Sequence, residues 1–323
     1  MKKILSVLLA AVLLFTAAGC GANPQQGAGP SGNPVSQSGA SPEAAPEGSG
    51  PFAVTDSRGV DIIFDKIPET IVSLTPSNTE ILYALGMEEK IIAVSDYCNY
   101  PEETASKQKL PTGEQLDLES LISLNPDVVF LGNMSVMDDQ MRRLEESGIK
   151  LVVTEANTLA ETYEVMGLIG KITGKAQEAS AMADAMKKGF EKIREEVRGK
   201  AQRTVYVEVS PLQYGLWSCG KNTFIQELID IVGAKNIFDD VEGWTSVSEE
   251  QVLQRNPDII LTTASPLTGI EDPIGDIVSR QNWSGISAVK NNKVVMLDSD
   301  MSTRPGPRLL DAAKALVQII YGE

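Results

Sequence analysis

The chain of 323 residues contains no histidine. Without imidazole groups it cannot form a Ser-His-Asp or Cys-His catalytic arrangement, a histidine-ligated haem, or the imidazole-rich zinc and manganese sites of some exported metal receptors. A glycine-rich phosphate loop and a G-x-S-x-G turn are also missing. We therefore expect a protein that is not an enzyme, has no resident cofactor or metal site, and holds any metal inside a chelate. An exported α/β enzyme is the remote alternative.

Cysteine and positive charge are both scarce. Apart from Cys20, only Cys98 and Cys219 are present. They could pair in an oxidising compartment, but two free or partly buried thiols are the favoured prediction. The 28 basic residues are outnumbered by 44 acidic ones, which leaves a formal net charge of −16. Because nucleic-acid binding requires clustered positive charge, we expect no nucleic-acid partner.

A long apolar run occurs only at the start of the chain. Two lysines precede the run Ile4 to Phe15, and Ala17-Ala18-Gly19-Cys20 follows it. The run is too short to span a membrane and has the order of an export signal, so residues 1–19 are predicted to be a signal peptide. The site resembles the bacterial lipobox, which implies cleavage before Cys20 and a lipid on its sulfur. A plain signal peptide with a chance cysteine is the alternative.

Residues 20–50 consist almost entirely of Gly, Pro, Ser, Ala, Gln and Asn. This composition lacks the apolar content needed to form a core, so the segment is predicted to be a flexible linker. Such a linker suits a domain that is lipid-anchored at the extracytoplasmic face of the cell membrane and must reach a membrane partner.

The longest helical pattern runs from Gly174 to Lys200. About 25 residues at a rise of ~1.5 Å would form a rod of roughly 38 Å. We predict a connecting helix over residues 173–200, between lobes formed by residues 51–172 and 201–323; a surface helix of a single α/β domain is the alternative. Apolar or small residues recur three and four positions apart on one stripe: Ala179, Met182, Ala183, Met186, Phe190, Ile193 and Val197.

Strand and helix patterns alternate on both sides of this helix, which predicts mostly parallel sheets. The segments LESLISLNPDVVFL at 118–131 and EEQVLQRNPDIILT at 249–262 align in register. Glu119 and Glu250 each stand six residues before Asn-Pro-Asp. A common helix-to-strand turn would explain the tripeptide but not the paired glutamates, so two similar α/β lobes are expected. In the first lobe, Ser77 or Asn78 is expected to cap a helix that ends at Gly86.

Three further segments stand beside the two Asn-Pro-Asp units: IVSLTPSNTE at 71–80, SDY at 95–97 and RPGPR at 304–308. Together these segments resemble the exported binding proteins of ABC importers for cobalamin, ferric siderophores and haem, over residues 68–321. The resemblance implies two α/β lobes joined by one long backbone helix, with little closure on the ligand. It also implies a permease dimer with its ATPase as the partner of a binding protein that we expect to be a monomer.

The similarity is closest to the cobalamin receptors, through SDY and NYP at 95–101, WTSVSEE at 244–250 and LDSD at 297–300. In open α/β sheets, ligands bind beyond the carboxyl ends of the strands. The resemblance implies that Glu119 and Glu250 dock onto arginines of the permease; the alternative is a favourable position at a helix N-terminus. It also implies ligand contacts from residues that follow predicted strands: Ser77, Tyr97, Gly132, Trp217, Trp244 and Asp300.

The expected ligand follows from the chemistry of that edge. A corrinoid needs aromatic walls and few polar contacts, which Tyr97, Trp217 and Trp244, with Tyr100 and Tyr214, would supply unless they pack in the core. A triply anionic ferric catecholate needs several converging cations. The sequence offers three candidate cations, Lys221, Arg304 and Arg308. For Arg304 and Arg308, which flank Pro305 and Pro307, the alternative role is to fix the loop. A cobalt corrinoid is therefore the first choice, and a ferric siderophore or haem the second.

Overall fold

The computed structural model describes residues 50–113, 116–132, 136–264 and 269–322. All of them belong to one compact unit. The predicted signal peptide, Cys20 and nearly all of the predicted linker lie outside these ranges. Within the described ranges, every helix is too short or too polar to cross a membrane.

The first lobe contains a β-hairpin and a five-stranded parallel sheet. The hairpin pairs β1 (Phe52–Thr55) with β2 (Asp61–Phe64). The sheet has the order β5-β4-β3-β6-β7. Its strands and helices are β3 (Ile71–Ser73), α1 (Pro76–Ala84), a 3₁₀ turn (Glu88–Lys90), β4 (Ile91–Ser95), a 3₁₀ turn (Glu102–Ser106), β5 (Gln108–Leu110), α2 (Leu118–Ser123), β6 (Val128–Gly132), α3 (Asp138–Glu146) and β7 (Lys150–Thr154).

The connecting helix is shorter than its sequence pattern predicts, and a second helix packs along it. The connecting helix α5 (Ala176–Val197) has 22 residues and is about 33 Å long. The predicted bounds, 173–200, are too wide. Thr173 is the last residue of the preceding helix, α4 (Leu159–Thr173), and Gly174, with a φ of 72°, ends that helix. The ammonium of Lys187 on α5 lies 4.9 Å from the ring centroid of Tyr163 on α4. The two helices therefore form an antiparallel hairpin, of which only α5 was predicted.

The second lobe contains a four-stranded parallel sheet, a two-stranded ribbon and several short helices. The sheet has the order β10-β8-β12-β13, and the ribbon pairs β9 with β11 in antiparallel fashion. The elements are β8 (Thr204–Glu208), a 3₁₀ turn (Leu212–Tyr214), β9 (Trp217–Cys219), α6 (Phe224–Ile231), β10 (Lys235–Asn236), β11 (Trp244–Ser246), α7 (Glu249–Arg255), β12 (Ile259–Thr262), α8 (Pro273–Ser279), a 3₁₀ turn (Trp283–Gly285), α9 (Ser287–Lys290), β13 (Val294–Met296), α10 (Ser299–Ser302) and α11 (Leu309–Tyr321).

Each sheet buries one face in a core of its own and the other face in a core that both lobes share. The outer core of the first lobe includes Val72 and Val129, and that of the second lobe includes Tyr206 and Ile260. Between the sheets, one continuous apolar cluster joins side chains of both lobes to α5. This shared core buries nearly the whole predicted stripe of α5: Ala179, Ala183, Met186, Phe190, Ile193 and Val197, with Met182 half-buried. Burial on both faces explains why the parallel strands are almost uniformly apolar.

The predicted repeat of Asn-Pro-Asp is a structural repeat. Asn125 and Asn256 have φ values of 46° and 42°, so both end a helix in the left-handed conformation. A carboxylate oxygen of Asp127 accepts from the backbone N–H groups of Glu69 and Thr70, at 2.7 and 3.0 Å. In the second lobe, the matching aspartate and threonine are hydrogen-bonded in a similar way: Asp258 accepts from the backbone N–H and the hydroxyl of Thr204, both at 2.9 Å. We call these contacts the Asp-Thr clasps.

The predicted cap of the first helix is wrong. α1 begins at Pro76 with Thr75 as its N-cap residue, so Ser77 and Asn78 lie inside its first turn. Proline is favoured at this position because its fixed φ suits the helix and its missing N–H is not needed there. Asn78 is buried instead, and its side-chain oxygen accepts from the hydroxyl of Thr154 at 2.9 Å.

Candidate functional site

The predicted ligand residues of the first lobe lie at the carboxyl edge of its sheet. Ser77 follows β3, Tyr97 follows β4, and Gly132 ends β6. The turn after β4 is well held, because the N–H groups of Tyr97 and Cys98 donate to the hydroxyl and the carbonyl of Ser95, at 3.2 and 3.0 Å. The side chain of Tyr97 therefore points away from a fixed turn, and the residue is 67% exposed, whereas Ser77 is 7% exposed. Of these residues, Tyr97 offers by far the larger contact surface.

On the second lobe, the predicted residues Trp217 and Trp244 lie on the β9–β11 ribbon. Ser246 is paired with Trp217 and Cys219 with Trp244, which places both indoles on the same face of the ribbon. Trp217 is 42% exposed. Trp244 is half-buried and packs edge-on against Phe224, with ring centroids 5.5 Å apart. Trp217 is thus available to a ligand, while Trp244 is largely occupied in packing.

Trp244 also takes part in a contact between the two lobes. Its indole N–H donates to the side-chain oxygen of Asn157, at 3.2 Å. The carbonyl of Asn157 accepts from the N–H of Phe224 at 2.5 Å, and the carboxylate of Glu227 accepts from the N–H of Leu159 at 2.6 Å. Asn157 and Leu159 follow the last strand of the first lobe, whereas the other three residues belong to the second. We call this set of contacts the α6 junction.

The sixth predicted ligand residue, Asp300, lies in a polar network at another contact between the lobes. Its carboxylate oxygens accept from Arg304 and from the side-chain amide of Asn99, both at 2.6 Å. Arg304 also donates to the side-chain oxygen of Asn99 at 2.8 Å and to the carbonyl of Tyr97 at 3.4 Å. Two of the six predicted residues, Tyr97 and Asp300, are therefore linked through Arg304 and Asn99.

A buried carboxylate, Glu80, completes this network. It accepts from Arg304 at 3.0 Å and from Arg308 at 2.8 and 2.6 Å. The guanidinium of Arg308 also stacks 4.1 Å from the ring centroid of Tyr100. We call these contacts the Glu80 network. Glu80 and Asn99 were not predicted, since their partners lie about 200 positions away in the chain.

The arginines of this edge are neutralised by protein carboxylates. Burial by itself lowers the pKa of Arg308, but the hydrogen bonds and the charge of Glu80 outweigh burial and leave that pKa above its usual value. Arg304 pairs with Asp300 as well as with Glu80. Of the three cations that the sequence offers to an anionic ligand, these two are engaged, and Lys221 is exposed beside the ribbon.

The predicted docking residues, Glu119 and Glu250, occupy equivalent positions. Each is exposed and is the second residue of a short helix, α2 or α7. The helices are capped by Asp117 and Ser248, whose side-chain oxygens accept from backbone N–H groups of the first turn. Hydrogen bonds from its own backbone N–H and from the hydroxyl of Ser248 lower the pKa of Glu250. The neighbouring Glu249, by contrast, accepts from the indole N–H of Trp283 at 2.7 Å.

The predicted thiols are confirmed as free and buried at Cys98 and Cys219. Burial raises the pKa of Cys219 to about 12 and also raises that of Cys98. Across residues 50–113, 116–132, 136–264 and 269–322, no three or more Cys, Asp or Glu side chains are grouped so as to hold a metal ion.

Comparison with known proteins assigns the family. A family model described as periplasmic binding protein matches residues 71–301. The chain belongs to this family. The family and the proteins that it resembles are solute-binding proteins, so the prediction that the chain is not an enzyme is confirmed.

Three relatives of this binding protein define the comparison. It is 34% identical to the uncharacterised ABC transporter substrate-binding lipoprotein YvrC of Bacillus subtilis, over 98% of this chain and 95% of the relative. It is 28% identical to the vitamin B12-binding protein of Salmonella typhimurium, over 76% and 88% of the two chains. A crystal structure of a possible iron-binding protein from Staphylococcus epidermidis has 34% identity and a TM-score of 0.69, over 79% of this chain and all of that chain.

A further solved structure supports the fold. The vitamin B12-binding protein of Vibrio cholerae has 24% identity and a TM-score of 0.64, over 79% of this chain and 97% of that chain. The predicted α/β architecture with parallel sheets and a long connecting helix is confirmed, and so is the predicted family of ABC-importer binding proteins.

Proposed function

We propose that this extracytoplasmic binding protein captures cobalamin or a related corrinoid and delivers it to an ABC importer. The observation that carries the proposal is the combination of exposed aromatic rings and neutralised arginines at the carboxyl edges of the two sheets. Tyr97 on the first lobe and Trp217 on the second expose flat apolar surfaces, which suit the apolar face of a corrin ring. The peripheral amides of a corrinoid need only a few polar partners, such as Asp300 or the backbone at Gly132.

A ferric siderophore is less well matched. An anionic catecholate is best bound by guanidinium groups that are free to form bidentate contacts. Arg304 and Arg308 instead hold Glu80 and Asp300 within hydrogen-bonding distance. Releasing them for a ligand would leave the carboxylate of Glu80 buried without its partners, which is costly.

Haem or another iron chelate is the second candidate. Tyrosine can serve as an axial ligand of haem iron, and the exposed side chain of Tyr97 has the chemistry to do so. The relative of 34% identity described as possibly iron-binding also favours this class. Trp217 would contact a porphyrin as well as a corrin, so the shape of the aromatic edge does not separate the two ligands.

Isothermal titration of the full-length protein with cyanocobalamin, cobinamide, haem and a ferric catecholate tests the ligand. We expect sub-micromolar binding of the corrinoids and at least tenfold weaker binding of the catecholate. The variants Tyr97→Ala and Trp217→Ala should each weaken corrinoid binding. Tyr321→Ala should not, because it removes an aromatic ring beside Val232 and Lys200, near the amino edge of the second sheet. Binding of haem or the iron chelate with no response to either corrinoid would contradict the proposed ligand.

We also propose that Glu119 and Glu250 dock the protein onto a permease dimer that works with an ATPase. This proposal is supported by the exposure of both glutamates at equivalent positions of α2 and α7. Two carboxylates held apart by a rigid core would engage a two-fold partner at both ends, which raises affinity and fixes orientation. We expect the binding protein itself to be a monomer.

Anchoring through a lipid on Cys20 is proposed from the sequence of the export signal, because Cys20 lies outside the described residues. The variant Cys20→Ala should lose the lipid and appear in the soluble fraction after cell lysis, whereas Cys98→Ala should remain with the membranes. Recovery of Cys20→Ala with the membranes, still carrying incorporated labelled fatty acid, would rule out this anchor.

A further inference from the structure

The first lobe contains a buried charge that it does not neutralise with its own basic residues. The side chain of Glu80 is 2% exposed, and the ion pairs recorded for it within the described ranges are with Arg304 and Arg308. Both arginines come from the segment between β13 and α11, after the second sheet. Because a buried carboxylate without a partner is costly, this segment must be in place for the first lobe to be stable.

Arg304 contacts more than this carboxylate. Its planar group donates to the side chain of Asn99, to the carbonyl of Tyr97 and to Asp300. It thereby joins the turn that carries Tyr97 to helix α10, which carries Asp300. A guanidinium offers five N–H donors in a fixed geometry, whereas a lysine ammonium is a single point on a flexible chain. Lysine therefore cannot reproduce this set of contacts.

The Glu80 network differs from the α6 junction in the groups that it uses. The α6 junction uses backbone groups, namely the N–H groups of Phe224 and Leu159 and the carbonyl of Asn157. Its geometry therefore depends on the course of the backbone. In the Glu80 network, every donor is a side chain. The position of the Tyr97 turn relative to α10 therefore depends on which side chains are present.

We propose that Arg304 is a positioning residue of the ligand site, which holds the turn at residues 96–100 and helix α10 in a fixed arrangement before the ligand binds. The proposal rests on the proposed function in one respect, namely that Tyr97 and Asp300 contact the ligand. A site that is already ordered does not have to order loops on binding, which increases affinity. Loss of Arg304 should therefore weaken binding mainly through faster dissociation.

The test combines hydrogen–deuterium exchange with ligand binding in the full-length protein. Arg304→Lys should increase amide exchange at residues 96–100 and 299–303, without ligand, while exchange in the central strands stays unchanged. It should also weaken cyanocobalamin binding tenfold or more, with most of the change in the dissociation rate. Asn99→Ala, at an exposed position of the turn, removes the contacts of Asn99 with Arg304 and Asp300 but leaves Glu80 and the bond from Arg304 to the carbonyl of Tyr97. It should give the same two effects to a smaller extent.

Arg280→Lys is the matched control. Arg280 donates to Glu208 at 2.7 and 2.8 Å and is more deeply buried than Arg304, with 4% against 13% of its side chain exposed, but this pair lies wholly within the second lobe. The control should lower the melting temperature without weakening cyanocobalamin binding or increasing exchange at residues 96–100. A role of Arg304 in general stability alone would make both arginine variants behave alike.

Two results would overturn the proposal: unchanged exchange at residues 96–100 and 299–303 in both Arg304→Lys and Asn99→Ala, or increased exchange with unchanged affinity. Failure of the proposed ligand is a separate outcome. If the unmodified protein binds haem or the ferric catecholate but no corrinoid, the corrinoid assignment is wrong, and the same variants are then compared with the ligand that binds.

Discussion

The two lobes are alike at the amino edges of their sheets and different at the carboxyl edges. At the amino edges, both have a left-handed asparagine and an Asp-Thr clasp. The helix that leads to each of these turns also carries an exposed glutamate as its second residue. At the carboxyl edges, the first lobe has the turn that carries Tyr97, whereas the second has the β9–β11 ribbon with Trp217. A repeated scaffold thus retains the contacts that connect helix to strand, while the surface that faces a ligand differs between the copies.

The lobes also differ in how they neutralise a buried glutamate. In the second lobe, Glu208 of β8 and Arg280, which directly follows α8, are 1% and 4% exposed and form a bidentate pair. In the first lobe, Glu80 is equally buried, but its arginines come from the chain beyond the second sheet. The second lobe therefore neutralises its buried glutamate with an arginine of its own, whereas the first lobe depends on arginines of the second.

The largest expected effect concerns the exposed docking glutamate that each lobe carries. Reversing both docking charges, in Glu119→Lys with Glu250→Lys, should abolish uptake, because two repulsive contacts would replace two attractive ones at the permease. Either reversal alone should leave partial uptake. The measurement is uptake of labelled cobalamin by cells that produce each variant, together with titration of the purified proteins.

The control for this prediction is Glu164→Lys with Glu195→Lys, which changes the net charge by the same amount at exposed positions of α4 and α5. Uptake should be unaffected in the control, and cyanocobalamin affinity should be unchanged in all of these variants. A loss of ligand affinity in the Glu119 and Glu250 variants would place these residues in the ligand site instead.

What the sequence predicts depends on how local the signal is. The repeat around Asn-Pro-Asp and the buried stripe of α5 are recognisable because one turn or one helix face carries each of them. Helix α4 is not predicted, because Gly167 and Gly170 lower the helix propensity of its sequence. Gly170 is explained only by packing, since a side chain there would lie 2.5 Å from Cβ of Ala179.

The candidate site is predictable in part. Its position at the carboxyl edges follows from strand order, and Tyr97 and Trp217 are indeed exposed there. Two of the predicted residues form hydrogen bonds between the lobes instead. Trp244 is bonded to Asn157, 87 positions away, and Asp300 to Asn99, 201 positions away. No local pattern contains such a pairing, so the sequence alone cannot distinguish a ligand contact from a contact between lobes.

The second-largest expected effect tests how the two lobes neutralise their buried glutamates. Glu208→Ala should lower the free energy of unfolding by about 3–5 kcal/mol, because it removes the buried carboxylate that Arg280 contacts through two bonds and leaves the guanidinium paired with Asp276, which is 40% exposed. Glu80→Ala should lower the free energy of unfolding by less, about 1–3 kcal/mol. Arg304 would still form its ion pair with Asp300, and the two arginines that contact Glu80 are partly exposed. Urea unfolding followed by tryptophan fluorescence measures both variants. A larger loss for Glu80→Ala than for Glu208→Ala would contradict this ranking.

The smallest effect tests the similarity of the amino edges. Asp127→Ala and Asp258→Ala each remove an acceptor from a clasp, and each should lower the free energy of unfolding by about 1–2 kcal/mol. Since the two clasps hold equivalent turns, the losses should agree to within about 1 kcal/mol. Urea unfolding at neutral pH provides the comparison, and a loss at one clasp only would show that the repeat is conserved in geometry but not in energy.

The pH dependence of Asp127→Ala provides a second check on the first clasp. Burial by itself raises the pKa of Asp127, but the N–H groups of Glu69 and Thr70 outweigh burial and leave that pKa below its usual value. A carboxylate with a lowered folded pKa contributes stability above its unfolded pKa, about 3.9, and loses it as the pH falls through the folded value. The difference in stability between the unmodified protein and Asp127→Ala should therefore be constant from about pH 5 to 7 and narrow below about pH 4. A difference that widens on acidification would mean that the protonated side chain, and not the carboxylate, stabilises the turn.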